Sequence, residues 1–347
     1  MSVRTVLVCE TQVPLIRGGA ELLVEQLVGE LRARGVAADR VSLPFKWYPK
    51  TEILPHAAAW RLLDLSESNG RVIDLVIATK FPTYFARHPN KVCWLVHQHR
   101  AAYELCGTEY SDFGDEEIDV GLRDRLMALD EEMLGECRGL YTISRTVSRR
   151  LEKYNGLASE PLYHPPLIAA QLSPGEYGSY VLSVARLEKN KRVDLAVRAM
   201  AHLPSHLKMI VVGEGSHRRF IEQAAEESGV SDRISFVGAV TDLELVSLYR
   251  DALCLVYVPF DEDYGLATLE AFLAAKPVIT ARDSGGTLEF VDDTNGLVVE
   301  PDPAAIATAI ARLDADRALA ASLGADGRAL ARTISWDAVV DRLLSHG

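Results

Sequence analysis

The chain is expected to fold as an α/β protein of two doubly wound domains facing across a cleft, and three observations point there. Short β-branched runs alternate with helix-period segments almost from end to end. The alternation breaks once, in YHPPLIAAQLSPGEYGS (163–179), where three prolines and clustered turn residues mark a linker. At 347 residues the chain is also long for a single core, because domains usually stop growing at about 150 residues.

In the first half TVLVC (5–9) reads as a strand. It is followed by AELLVEQLVGELRARG (20–35), where Leu23, Leu27 and Leu31 share a face at i, i+4 spacing. DLVIAT (74–79), KVCWLV (91–96) and GLYTIS (139–144) supply further strands. After the linker come YVLSVA (180–185), KMIVVG (208–213), RISFVG (233–238), CLVYVP (254–259), PVITA (277–281) and GLVVE (296–300). SWDAVVDRLLSH (335–346) reads as a terminal helix capped by Ser335. The boundaries that follow are a domain over 1–165, a linker over 166–178, a second domain over 179–334, and a tail over 335–347 packing back on the first domain. Ligands of such sheets bind outside the carboxyl ends of the strands.

Apolar residues make up 48% and charged residues 25% of the chain, the composition of an ordinary globular protein. A net charge of −12 argues against a nucleic-acid partner, which calls for a basic patch. The five cysteines are widely spaced with no C-x-x-C pair, which fits reduced thiols rather than a disulfide frame or a zinc site. MSVRTVLVCE leads directly into a strand, the reading of a chain with no secretory signal. No apolar run reaches the roughly 18 residues of a membrane span. A cytoplasmic protein is expected, with peripheral contact at the inner membrane face left open. The basic stretch SRTVSRRLEKY (144–154) could make that contact or be a solvated face.

Four features could carry chemistry. Gly18 and Gly19 lie at a strand-to-helix junction, where a bare backbone can approach a phosphate, or they form a plain turn. His97 follows an apolar strand, with His99 and Arg100 just beyond; nothing nearby completes a zinc set around the two histidines. Arg186 ends the first strand of the second half and Lys191 stands at the next helix start. Cations there oppose the helix dipole, a conflict that a bound phosphate would relieve, or the segment is a solvated basic turn. Finally, PFDEDYGLATLEAFLAAKPVIT (259–280) sets Asp261, Glu262 and Asp263 before the helix start at Gly265, with Glu270 inside the helix. The acids could hold a divalent ion in a D-x-D pattern, or each glutamate could accept hydrogen bonds from paired sugar hydroxyls.

Taken in order, Gly-Gly after the first strand, a strand-end histidine, R-x4-K opening the second half and E-x7-E near its end resemble the retaining glycosyltransferases of family 4, with the GT-B fold. VARLEKNKRVD, VVGEG, FVGAV, EDYGLATLEAFLAAKPVI, SGGTLEFV and NGLVV extend the likeness along nearly the whole chain. The resemblance implies two Rossmann-like domains, the first on the acceptor side and the second holding a nucleoside-diphosphate sugar as co-substrate. It implies no metal and no other cofactor. Glu270 would hold the ribose diol and Glu262 the sugar hydroxyls, while Arg186 and Lys191 neutralise the diphosphate. Backbone N–H groups at Gly265–Leu266 and Gly18–Gly19 would assist, Val240 would offer its backbone near the base, and His97 would lie beside the transferred sugar. The acceptor would be a glycan, a glycolipid or a small molecule, and the donor GDP-mannose or a UDP-hexose, with a mannose-type hexose the preferred reading.

The chain departs from the family in two places. The usual Glu-Gly-Phe-Gly stands here as Glu262-Asp263-Tyr264-Gly265, and HQHR leaves His97 and His99 as alternative sugar contacts. YELCGTEYSDFGDEE (103–117) is either an acceptor-side loop or a plain surface loop. A nucleotide-sugar epimerase on the same scaffold is the alternative enzyme, and a non-catalytic sugar-nucleotide sensor the alternative from another class. An NAD-dependent dehydrogenase would need G-x-G-x-x-G at the first turn, which TQVPLIRGGAE lacks.

Overall fold

A computed structural model describes residues 3–14 and 18–346. The chain divides into two compact units, Met1–His164 with Ser335–Gly347, and Pro165–Ile334.

The first unit runs β1 (Thr5–Gln12), α1 (Gly19–Ala33), β2 (Ala37–Pro44), α2 (Ile53–Leu62), the two-residue hairpin strands β3 (Glu67–Ser68) and β4 (Arg71–Val72), then β5 (Leu75–Ala78), β6 (Lys91–Leu95), α3 (Glu117–Gly135), β7 (Gly139–Thr142), α4 (Arg145–Asn155) and β8 (Glu160–Pro161). Its main sheet is parallel in the order β2-β1-β5-β6-β7-β8. Val6, Val8, Leu75, Ile77, Val92 and Trp94 are buried within it, and α1 adds Leu23, Leu27 and Leu31. Continuous apolar strands covered on both faces are the signature of such sheets. β2 escapes a search for apolar runs because AADRVSLP is an edge strand, half polar and largely exposed.

The second unit runs β9 (Tyr180–Val184), α5 (Val193–Ala199), β10 (Lys208–Val212), α6 (Arg218–Glu227), β11 (Ile234–Gly238), α7 (Asp242–Arg250), β12 (Cys254–Val256), α8 (Leu266–Leu273), β13 (Val278–Ala281), β14 (Gly296–Val299), α9 (Pro303–Ala315) and α10 (Arg317–Ala331). Its sheet is parallel in the order β11-β10-β9-β12-β13-β14. Strand order therefore reverses between β9 and β12, and the crevice above such a reversal is where doubly wound sheets bind ligands.

The segment 166–178 is no free tether, because its second part is bound into the second unit. The buried Lys276 donates to the carbonyls of Gly175 (3.2 Å) and Glu176 (2.7 Å), and Tyr177 donates to the carbonyl of Ala275 (2.7 Å). The last helix, α11 (Trp336–Leu344), clusters with the first unit. Trp336 packs edge-on against Trp94, with ring centroids 6.0 Å apart. Ser335 occupies the N-cap position but its side chain makes no capping bond. Among the described residues, no helix is long and apolar enough to cross a membrane.

Candidate functional site

Two loops of the second unit meet above the β9/β12 reversal. The first, following β9, carries Arg186 and a short 3-10 turn over Lys189–Lys191. The second, following β12, carries Pro259–Tyr264 and delivers the chain into α8. Arg192 stitches them together. Its guanidinium donates to the carbonyls of Val258 and Pro259, both at 2.9 Å, and reaches Asp283 at 2.7 Å. The Phe260 N–H adds a 2.7 Å bond to the carbonyl of Asn190. Charged donors in a fixed fork make such clamps specific as well as strong.

This stitching sets Lys191 against Glu262, and the ammonium donates to Oε2 of the carboxylate. Both side chains are largely shielded, at 10% and 14% exposure. Arg186 is exposed, and its side chain has no ion pair or hydrogen bond among the described residues. Of the two cations, then, one is already neutralised within the protein and the other is not.

Gly265 caps α8 in the left-handed region, at φ 86°. A Cβ there would lie 2.8 Å from the Thr287 hydroxyl, so both backbone and space require glycine. No side chain caps this helix, and its first turn contains no acid. The hydroxyls of Thr268 and Thr287, which line the same spot, are buried without a partner among the described residues. Buried hydroxyls are ordinarily satisfied, so these two, beside the positive end of a helix dipole, suit an anionic group that accepts hydrogen bonds. The Glu262-Asp263-Tyr264 backbone is fixed from the other side, since the Gly286 N–H donates to the Glu262 carbonyl at 2.7 Å.

Glu270 lies in the second turn of α8, half-buried, and accepts a 2.8 Å bond from the Tyr249 hydroxyl. Burial pushes its carboxyl up to about 7, against the lowering effect of that bond and with a further push from Asp242. Val240 lies in the loop between β11 and α7, half-buried. The second unit thus brings Lys191, Glu262, Gly265, Leu266 and Glu270 to the start of α8, with Arg186 on the neighbouring loop. Among the described residues no cluster of three His, Cys, Asp or Glu side chains could hold a metal.

The first unit carries the remaining candidates. His97 follows β6, with Nδ1 at 2.7 Å from the carbonyl of Gln98. A carbonyl only accepts, so Nδ1 bears a proton. His99 is a packing residue, its ring set among Phe45, Phe81 and Phe113 at 5.7–6.1 Å. Burial, then the neighbouring His97, lowers it to about 4. Both histidines are half-buried, and Nε2 of His99 has no hydrogen-bond partner among the described residues.

Gly18 caps α1, and its N–H donates to the carboxylate of Glu21 at 2.9 Å. That occupies one of the two donors, at Gly18 and Gly19, which the sequence assigned to a phosphate, and it sets a carboxylate beside the start of α1. Burial alone would raise Glu21, but Lys80 at 2.6 Å and the Gly18 bond outweigh it and hold the group below the usual carboxylate range. The 103–117 stretch is not simply a loop surface. Tyr103 is buried and donates to Asp130 at 2.7 Å. The basic helix α4 is not simply a solvated face either, because Arg150 is buried against Glu104 at 3.2 Å. Arg192, Tyr249, Thr268 and Thr287 were not singled out by sequence reasoning. Only Arg192 left a trace there, as the last cation of KNKR.

The profile described as Glycosyl transferases group 1 matches residues 168–330, the unit that carries the paired glutamates. Over these residues the chain is similar to this family. Group members similar to it include the D-inositol 3-phosphate glycosyltransferase of Xylanimonas cellulosilytica, 32% identical over 169 residues, covering 47% of this chain and 40% of that protein. An α-1,3/1,6-mannosyltransferase of Mus musculus is 29% identical over 182 residues, covering 48% of this chain and 44% of that protein. The chain thus aligns with less than half the length of these curated relatives. Among solved structures, Anabaena HepE in complex with UDP-glucose superposes with a TM-score of 0.72 at 15% identity, over 98% of both chains. The fold that the chain shares with these solved structures is GT-B.

Proposed function

We propose that the protein transfers a hexose, most simply mannose, from a nucleoside-diphosphate sugar to a hydroxyl of a glycan, glycolipid or small-molecule acceptor, with retention and without a metal ion. The observation that carries this reading is the arrangement around α8. Glu262 precedes its N-terminus, Glu270 lies one to two turns inside, and Lys191 is hydrogen-bonded to Glu262. An uncapped helix start beside two orphaned hydroxyls suits the leaving diphosphate, with Arg186 adding a charge that no acid among the described residues balances. Glu270 accepts from the ribose diol and Glu262 from the sugar hydroxyls. On binding, Lys191 exchanges part of its contact with Glu262 for the diphosphate. The pair holds both groups in position beforehand, and pre-set charges are what stabilise a charged leaving group. His97 is the first unit's candidate for a sugar contact.

The names of the relatives support transfer of a hexose, and HepE's UDP-glucose supports a nucleotide-sugar donor. A glycolipid acceptor would bring the protein to the inner face of a membrane. The test is a transfer assay with UDP- and GDP-hexoses, a panel of glycan, lipid-linked and small-molecule acceptors, and excess EDTA. Free nucleoside diphosphate and an α-linked product are expected only when acceptor is present, with EDTA making no difference. Conversion of the donor to an epimer without acceptor would overturn the reading in favour of an epimerase. Complete, metal-reversible loss in EDTA would restore a metal-binding role for Asp261 and Asp263.

A further inference from the structure

We propose that Tyr249 is a positioning residue of the donor site, its hydroxyl holding one oxygen of Glu270 so that the other meets the ribose hydroxyls. The inference rests on the donor reading above and adds a residue to it. Tyr249 is the buried residue of α7, fully enclosed, while Leu243 on the same helix is 76% exposed. For anchoring this helix a phenylalanine would serve as well, since burying a phenol costs free energy unless its O–H is bonded. The bond it makes is to a carboxylate, Oε2 of Glu270 at 2.8 Å. Tyr180 on β9 shows the other way the fold satisfies a phenol near this helix, since its hydroxyl donates to the Leu248 carbonyl at 2.7 Å.

The groups facing Glu270 make the consequence readable in pH. Tyr249 from α7 favours the ionised carboxylate, Asp242 at the start of α7 disfavours it, and burial disfavours it most. Tyr257, just beyond β12, is buried facing both Glu262 and Glu270. A carboxylate accepts from a diol more strongly when ionised. Donor affinity should therefore rise with pH as Glu270 loses its proton, and removing the Tyr249 hydroxyl should move that rise to higher pH.

Calorimetric titration with UDP-glucose and with GDP-mannose from pH 6 to 8.5 tests this, because the diphosphate diester of either probe does not titrate in that window. For the probe that wild type binds, Tyr249→Phe should weaken affinity about tenfold at pH 7 and raise the midpoint by about one unit, with affinity recovering toward pH 8.5. Tyr180→Phe should lower the melting temperature and leave the midpoint where it is. Replacing Tyr249 with 3-fluorotyrosine, a stronger donor of nearly the same shape, should lower the midpoint, and it keeps the test alive if the phenylalanine variant does not fold. An unchanged midpoint in these Tyr249 variants, even with uniformly weaker binding, would overturn the inference while leaving the donor reading intact. No binding of either probe by wild type would sink the donor reading, and this inference with it.

Discussion

Both units begin a helix at a glycine above the carboxyl edge of a parallel sheet, yet the two starts are built for opposite ends. At α1 the Gly18 N–H is satisfied by Glu21, whose charge is met in turn by Lys80. At α8 the glycine cap has no acid in its first turn and no side-chain cap, and two buried hydroxyls beside it have no partner among the described residues. The dipole is the same in each case. What differs is whether the protein has already supplied the anion. A glycine at a helix start is therefore a phosphate site only where the local charge balance leaves it one.

The largest effect expected from that difference falls on the lysines. Lys191→Ala should lower kcat/KM by about 100- to 1,000-fold, the usual cost of losing a preorganised charge at a developing anion. It should also destabilise the protein by about 1–3 kcal/mol, because the shielded Glu262 carboxylate loses its partner. Lys80→Ala removes an equally shielded ion pair from the first unit. It should cost comparable stability and leave nucleoside-diphosphate affinity within about twofold, since Lys80 is given no contact with the diphosphate in the proposed reading. Thermal melts together with calorimetric binding of UDP and GDP separate the two. Equal losses of nucleotide binding in both variants would break the comparison.

The glycines give a smaller and sharper contrast. Gly18 has an extended backbone, and an added Cβ would meet nothing closer than 3.4 Å. Gly18→Ala should therefore change melting temperature and donor affinity little. Gly265→Ala must adopt a left-handed backbone and press against Thr287 at 2.8 Å. A loss of about 1–3 kcal/mol in stability and about tenfold in nucleotide affinity is expected. Donor affinity that tolerates alanine at 265 would remove the α8 start from the site.

The same contrast shows what the sequence could convey. The two main sheets were legible because both are parallel and buried, so most of their strands appear as uninterrupted apolar runs; the half-polar edge strand β2 and the two-residue β8 at the other edge did not. Lys191, Glu262, Gly265 and Glu270 were legible as a spaced pattern of residue types, and the structure sets them around one helix start. Gly18 and His99 were ambiguous for a physical reason. Whether a glycine N–H or an imidazole is available depends on neighbours distant in the chain, Lys80 for the first turn and Phe45 for His99. Tyr249 was invisible because a buried tyrosine in a helix looks like core until its hydroxyl is seen to face a carboxylate.

The smallest effect concerns the two carboxyls that burial raises to about 7, Asp130 in the first unit and Glu270 in the second. Both are acids whose folded-state proton affinity exceeds that of the unfolded chain. Between about pH 4.5 and 7 the folded state binds more protons at these sites, so each contributes a decrease in stability as pH rises. For Asp130 this is about 1 kcal/mol between pH 6 and 8. Asp130 is wholly buried beneath the Tyr103 hydroxyl and touches no proposed ligand, so its titration should register in stability alone. Glu270 should register twice and in opposite senses, with stability falling and donor affinity rising through the same pH. Asp130→Asn should accordingly flatten part of the pH dependence of unfolding and leave that of donor binding unchanged, whereas Glu270→Gln should flatten both. Chemical denaturation and calorimetric titration with UDP-glucose and GDP-mannose, each run between pH 6 and 8, read the two effects independently. A shifted binding profile in Asp130→Asn would mean that proton uptake in the first unit reaches the donor site, and the separation of the two halves would have to be abandoned.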